Sequence, residues 1–362
     1  MSSIEQVFGC GSRYRGLDRY GLELEIENCS NIIENGLNVK GWTSVTDGSL
    51  RNNGLEFITA PPLKLENVSK AIAALFEAVQ PSEESYSDRT SVHVHCNMQG
   101  STIDQLKSLC LLYLVTEKVF FDFVSRERFE NVFCVPLMDF AAPFSIFKAL
   151  QEGQVSRNWQ KYTALNLLPL AELGTVEFRH MHGTANIEQI NTWVQAIDCL
   201  KQATKKKAFE EWLSQVTTLN TTSEYGMFLL ELFGKIEGQF LLNTSFEYYK
   251  ESLYSNVLSA KVWQYYENQS APKKQADAIY VPEGSGTFAR ALSARLNEPA
   301  PVESTAVPSS RLTMTDADLA REQLLNQLVS RDLTRFRVRE QLIAPGAAAF
   351  IVSDGISSEG SF

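Results

Sequence analysis

The sequence predicts an α+β fold, a sheet of short strands with helices packed against its apolar side. Three observations lead there. Several segments alternate polar and apolar residues with period two: "YGLELEIEN" at 20–28, "TSVHVHCNM" at 90–98 and "GTVEFRHMH" at 174–182. Other stretches, "NVSKAIAALFEAVQ" at 67–80 and the apolar run over 102–124, repeat with helical spacing. The chain has 362 residues, 44% hydrophobic and 21% charged, enough to bury a large core in ordinary globular proportions.

Taken in order, residues 20–60 read as strands. Leu22, Leu24 and Ile26 lie on one face of the first, and Glu23, Glu25 and Glu27 on the other. Asp47-Gly48 signals a turn, and a short strand through Glu56 ends at Pro61-Pro62. A helix over 67–80 precedes the strand carrying His93 and His95. Ser101 is expected to cap the long helix that follows. "SRERFENVFCVPL" reads as irregular and arginine-rich, and "KYTALNLLPL" and "GTVEFRHMH" as two strands joined by a loop. From 186 to about 268 the pattern is helical, with Trp193, Ile197 and Leu200 on one buried stripe. Residues 1–270 thus read as one folded domain. Residues 271–313 are rich in Pro, Ser and Ala and read as a linker. Residues 314–362 read as an amphipathic helix with a tail, and 314–342 as the place for a protein partner.

The formal net charge of −10 argues against a broad nucleic-acid surface, which needs a basic face. The six cysteines are scattered without a C-x-x-C pair, and no charged start with an apolar run opens the chain. The expectation is a cytoplasmic protein with reduced thiols, no signal peptide and no membrane span. The run "LCLLYLVTEKVFFDFV" is too short for a bilayer and carries Glu117 and Lys118.

If the alternating strands share one sheet, its polar side collects Glu23, Glu25, Glu56, His93, His95, Glu177 and Arg179. One such strand alone reads as a solvated outer face. Several together, each backed by aliphatic residues, read as a pocket. Carboxylates about 4 Å apart repel by about 4 kcal/mol per pair at an effective dielectric near 20. Divalent cations would settle that charge, and Mg²⁺ or Mn²⁺ suits carboxylates with an occasional imidazole better than zinc does. Arg179 would suit a phosphate or a carboxylate. All four histidines sit in two H-x-H pairs. Without a bulge, His180 and His182 fall on the opposite side with Val176 and Phe178. A four-histidine centre is therefore disfavoured, and those two are expected to be structural.

The ordered set "YGLELEIE", "TDGSLRNNGLEFITAPP", "SVHVHCNM", "SRERFENVFCVPL" and "KYTALNLLPLAELGTVEFRHMHGT" resembles the amidoligase family, found in phage and bacterial genomes. That family sits among the carboxylate–amine ligases with glutamine synthetase and γ-glutamylcysteine ligase. The resemblance spans roughly residues 18 to 200 and does not reach 271–362. It implies a glutamine synthetase-like fold: a curved antiparallel sheet, a partial barrel, with helices on the convex face. It implies ATP- and Mg²⁺- (or Mn²⁺-) dependent amide formation through an acyl phosphate, joining a small-molecule or peptide carboxylate to an amine. Carried over by position, Glu23, Glu25, Glu56, His93 and Glu177 would be metal ligands. His95, Glu177 and Arg179 would be catalytic, with Arg179 on phosphate. Tyr162, Asn166, Asp47, Arg51 and Arg126 would line the nucleotide site, with Arg128 a further phosphate or carboxylate candidate. Lys161 stands where the family pattern has arginine. The alternative reading is a non-catalytic scaffold that binds partners through its C-terminal arm. A third is a metal-dependent hydrolase or oxygenase using His93, His95 and a carboxylate.

Overall fold

A computed structural model of the chain describes residues 2–125, 128–129, 131–137, 161–241, 260 and 264. The chain divides into two units, Met1–Ile279 and Tyr280–Phe362, and every described residue belongs to the first. The linker, amphipathic helix and tail expected over 271–362 lie outside the described residues, as does Arg126.

Alternation becomes a six-stranded antiparallel sheet: β1 (Tyr20–Ile26), β2 (Trp42–Thr46), β3 (Leu55–Thr59), β4 (Ser91–Asn97), β5 (Leu165–Asn166) and β6 (Thr175–His182), in the order β2-β3-β1-β4-β6-β5. The sheet is open, with β2 and β5 at its edges. The described helices are α1 (Ile4–Phe8), α2 (Ser30–Asn35), α3 (Val68–Val79), α4 (Ile103–Val124), α5 (Ile187–Ala203), α6 (Phe209–Thr217), α7 (Thr222–Phe233) and α8 (Glu237–Phe240). Helices α4 and α5 pack on β6 and β4, and α3 and α6 pack in turn on α5 and α4.

The apolar side is as the alternation requires. Leu22, Leu24, Val92, Val94, Val176 and Phe178 are fully buried beneath the helices, with Trp193, Ile197 and Leu200 of α5 among them. Each such side chain contributes about 1.5–3 kcal/mol by leaving water. No helix among the described residues is long and apolar enough to cross a membrane. All six cysteines are free thiols, four of them buried.

Four local expectations are corrected. Helix α4 is capped by Thr102, not Ser101: Thr102 Oγ1 accepts from the Gln105 amide, and the Gln105 side chain accepts from the Thr102 amide. The segment read as a full strand before Pro169 pairs over only two residues and then turns into a 3₁₀ helix, Leu168–Leu170. Helices α1 and α2 interrupt stretches too short for periodicity to register. Finally, β6 bulges. Its register with β4 shifts between Val92 and Val94, so that Arg179 and His180 together oppose His93. Beyond the bulge Met181 pairs with Val92 on the apolar side, and His182 pairs with Ser91 on the polar side.

Candidate functional site

The central strands set the positions. Cross-strand partners in an antiparallel pair point to the same face. Glu23 pairs with His93, Glu25 with Glu56 and His95 with Glu177, so three ladders gather these side chains onto one side. Gly21 pairs with His95, and a Cβ there would sit 3.3 Å from His95 Cβ, so the glycine leaves room for the ring.

On this side of the sheet His93 Nδ1 lies 3.3 Å from Glu23 Oε2 and 3.6 Å from Glu177 Oε1. His95 Nε2 lies 3.0 Å from Glu23 Oε1, and its Nδ1 is 2.9 Å from Thr175 Oγ1. Glu177 is held twice more, by an ion pair with Arg179 and by the Asn166 amide at 2.7 Å. Among the described residues, two groups could each hold a metal ion: Glu23, Glu56 and His93, and Glu23, His95 and Glu177, with ligand atoms within 4.8 Å of one another. Glu23 belongs to both.

A relay decides the orientation of His93. Ser91 Oγ donates its single proton to Glu25 Oε2 at 2.5 Å and lies 2.7 Å from His93 Nε2. With that proton committed, Ser91 accepts, and His93 carries its hydrogen on Nε2. Its Nδ1 is then turned toward the Glu23 and Glu177 carboxylates. Either a proton on that nitrogen or a metal ion in its place balances the two carboxylates.

The protons of the site fit the same reading. Burial and the nearby Glu23, Glu25 and Asp47 charges push Glu56 up to about 8, and it shares a hydrogen bond with Glu23. Burial opposes the charge on Glu23, but His93 and His95 hold its carboxyl far below the usual range. Burial works against His95, yet the Glu23 and Glu177 carboxylates raise it. Burial also opposes Glu177, which His93, Arg179 and His95 nonetheless hold low. Protons thus sit where divalent ions would replace them.

The remaining expected residues take other places. Glu25 lies in neither metal group; it is buried and oriented by Ser91. Asn166 is buried, with its oxygen on the Leu168 amide and its nitrogen on Glu177, so it orients that carboxylate rather than reaching outward. Tyr162 is 38% exposed, with its ring beside the Arg179 guanidinium. Asp47 caps its own turn through the Ser49 amide, and the exposed Arg51 side chain faces Asp88 at 3.6 Å. Arg128 is not a surface arginine: it is buried and bound to backbone. His180 is fully buried, its Nε2 2.6 Å from the Tyr113 hydroxyl and its ring among Phe121, Phe120 and Trp193. Burial holds it neutral. The structural reading stands for His180, while the bulge turns His182 back to the polar side. Ser91 and Thr175 were missed; only their i−2 spacing from His93 and Glu177 marks them.

The chain matches no known family model and none of the curated proteins. The amidoligase resemblance is therefore an expectation drawn from the sequence alone.

Proposed function

We propose that this chain is an ATP- and divalent-metal-dependent carboxylate–amine ligase of the amidoligase type, with a glutamine synthetase-like arrangement of its sheet. The observation that carries the reading is the pair of three-residue groups sharing Glu23, with His93 Nδ1 turned by the Ser91–Glu25 relay toward Glu23 and Glu177. Oxygen-rich ligands with single imidazoles suit Mg²⁺ or Mn²⁺.

Glu23, Glu56 and His93 would hold one ion, and Glu23, His95 and Glu177 the other. Such ions, when bound, would supply charge neutralisation for the transferred phosphoryl group and the leaving diphosphate. Arg179 is tethered by Glu177, and its buried Nε has no hydrogen-bond partner among the described residues. That N–H is a ready donor to the transferred phosphoryl group. The substrate carboxylate would attack the γ-phosphate, and an amine would then displace phosphate from the acyl phosphate. Asn166 and Thr175 keep Glu177 and His95 in place meanwhile.

The test is phosphate release from ATP with Mg²⁺ and a panel of amino acids, polyamines and peptides. Acyl-dependent release is expected, and Glu23→Ala or Glu177→Ala should abolish it while the fold survives. Turnover unchanged in both variants would refute the reading. Zinc or iron purifying tightly with the protein would move it to a hydrolase or oxygenase.

A further inference from the structure

We infer that Arg128 is a positioning residue that clamps the β6 bulge and so holds Arg179 and Glu177 in the site. The sheet creates the need. Beyond Ala164, whose carbonyl accepts from the Arg179 amide, β5 no longer runs beside β6. Arg128 takes over this edge: its Nε donates to the His180 carbonyl at 2.8 Å and its Nη2 to the Arg179 carbonyl at 3.1 Å. In a regular strand successive carbonyls point to opposite edges. Here both reach one guanidinium, which a bulge permits and a regular strand does not.

The clamp is also costly to bury, which argues for a function beyond filling space. Arg128 is 5% exposed, and its charge has Glu25 on the polar side and the Cys134 sulfur as neighbours. A planar fork with fixed N–H directions suits two carbonyls one residue apart, as an ammonium would not. The second anchor is His180, tied to Tyr113, which in turn donates to Glu117 at 2.6 Å. Between these anchors lies Arg179, whose side chain meets Glu177 on the polar side. If the clamp loosens, the bulge relaxes and the two side chains lose their fixed separation from His93 and His95.

The inference rests on the proposed function only for its metal readout. Full-length wild type, Arg128→Ala and Arg128→Lys would be titrated with Mn²⁺ alone, and amide hydrogen exchange followed across 175–182 and 20–26. For Arg128→Ala, Mn²⁺ affinity should fall about 10–100-fold. Exchange should quicken over 177–182 and stay unchanged over 20–26, with millimolar guanidinium ion restoring both affinity and protection. Arg128→Lys should lie between. Wild-type affinity and protection in Arg128→Ala would overturn the inference, as would failure of both variants to fold, which would make the residue a support of the whole core. Should wild type itself bind no Mn²⁺, the ligase reading fails, and the exchange pattern still tests the clamp.

Discussion

Glu56 gives the site a measurable weakness in the absence of metal. Its carboxyl is held at about 8 against an ordinary value of 4.5. A raised carboxyl favours the folded state fully below pH 4.5, and that advantage is lost as pH climbs toward 8. The slope is about 1.4 kcal/mol per pH unit. Over the interval this would reach about 5 kcal/mol, and water at the half-buried carboxyl reduces it to about 2–3 kcal/mol. Glu56→Gln removes the titration. Urea unfolding of metal-free protein at pH 5, 7 and 9 should therefore show the variant gaining on wild type by about 2–3 kcal/mol across that range. With saturating Mn²⁺ the order should reverse, because the metal replaces the proton and needs the carboxylate. A constant difference between the two proteins from pH 5 to 9 would show that Glu56 does not face the Glu23 and Glu25 charges in solution.

Other expectations follow from the same geometry. Divalent ion at a hundred times its dissociation constant should stabilise wild type by about 2.7 kcal/mol in thermal melts, and Glu23→Gln should abolish the shift because Glu23 serves both groups. Ser91→Ala frees the His93 tautomer and should weaken Mn²⁺ binding about 10–100-fold by calorimetry, at a metal-free stability cost of about 1–3 kcal/mol for the buried Glu25 and His93 atoms left unpaired. His180→Ala opens a cavity among Phe121, Phe120 and Trp193 and should cost about 2–4 kcal/mol in urea unfolding. Thr102→Ala removes the α4 cap and should cost about 1 kcal/mol without moving metal affinity.

The polar face was legible because period two is unforgiving: Glu23, Glu25, His93, His95, Glu177 and Arg179 reach one side once their strands pair. The division of labour was not legible. Glu25 looks like a ligand in sequence, yet Ser91 lies between it and His93, and no spacing rule marks a serine relay. The β6 bulge was invisible because nothing in "TVEFRHMH" signals it; it is set by what His180 and Arg128 find on neighbouring elements. Arg128 sits in an irregular, arginine-rich stretch, and only its bonds to the β6 carbonyls beyond the end of β5 explain its burial.

One acid common to both ion groups has a practical consequence for dissecting them. In the proposed site any change at Glu23 would silence both positions at once and could not say which ion does what. Glu56 and Glu177 each border a single group. Comparing those two replacements alone and together would reveal whether the first ion to arrive prepares the berth of the second.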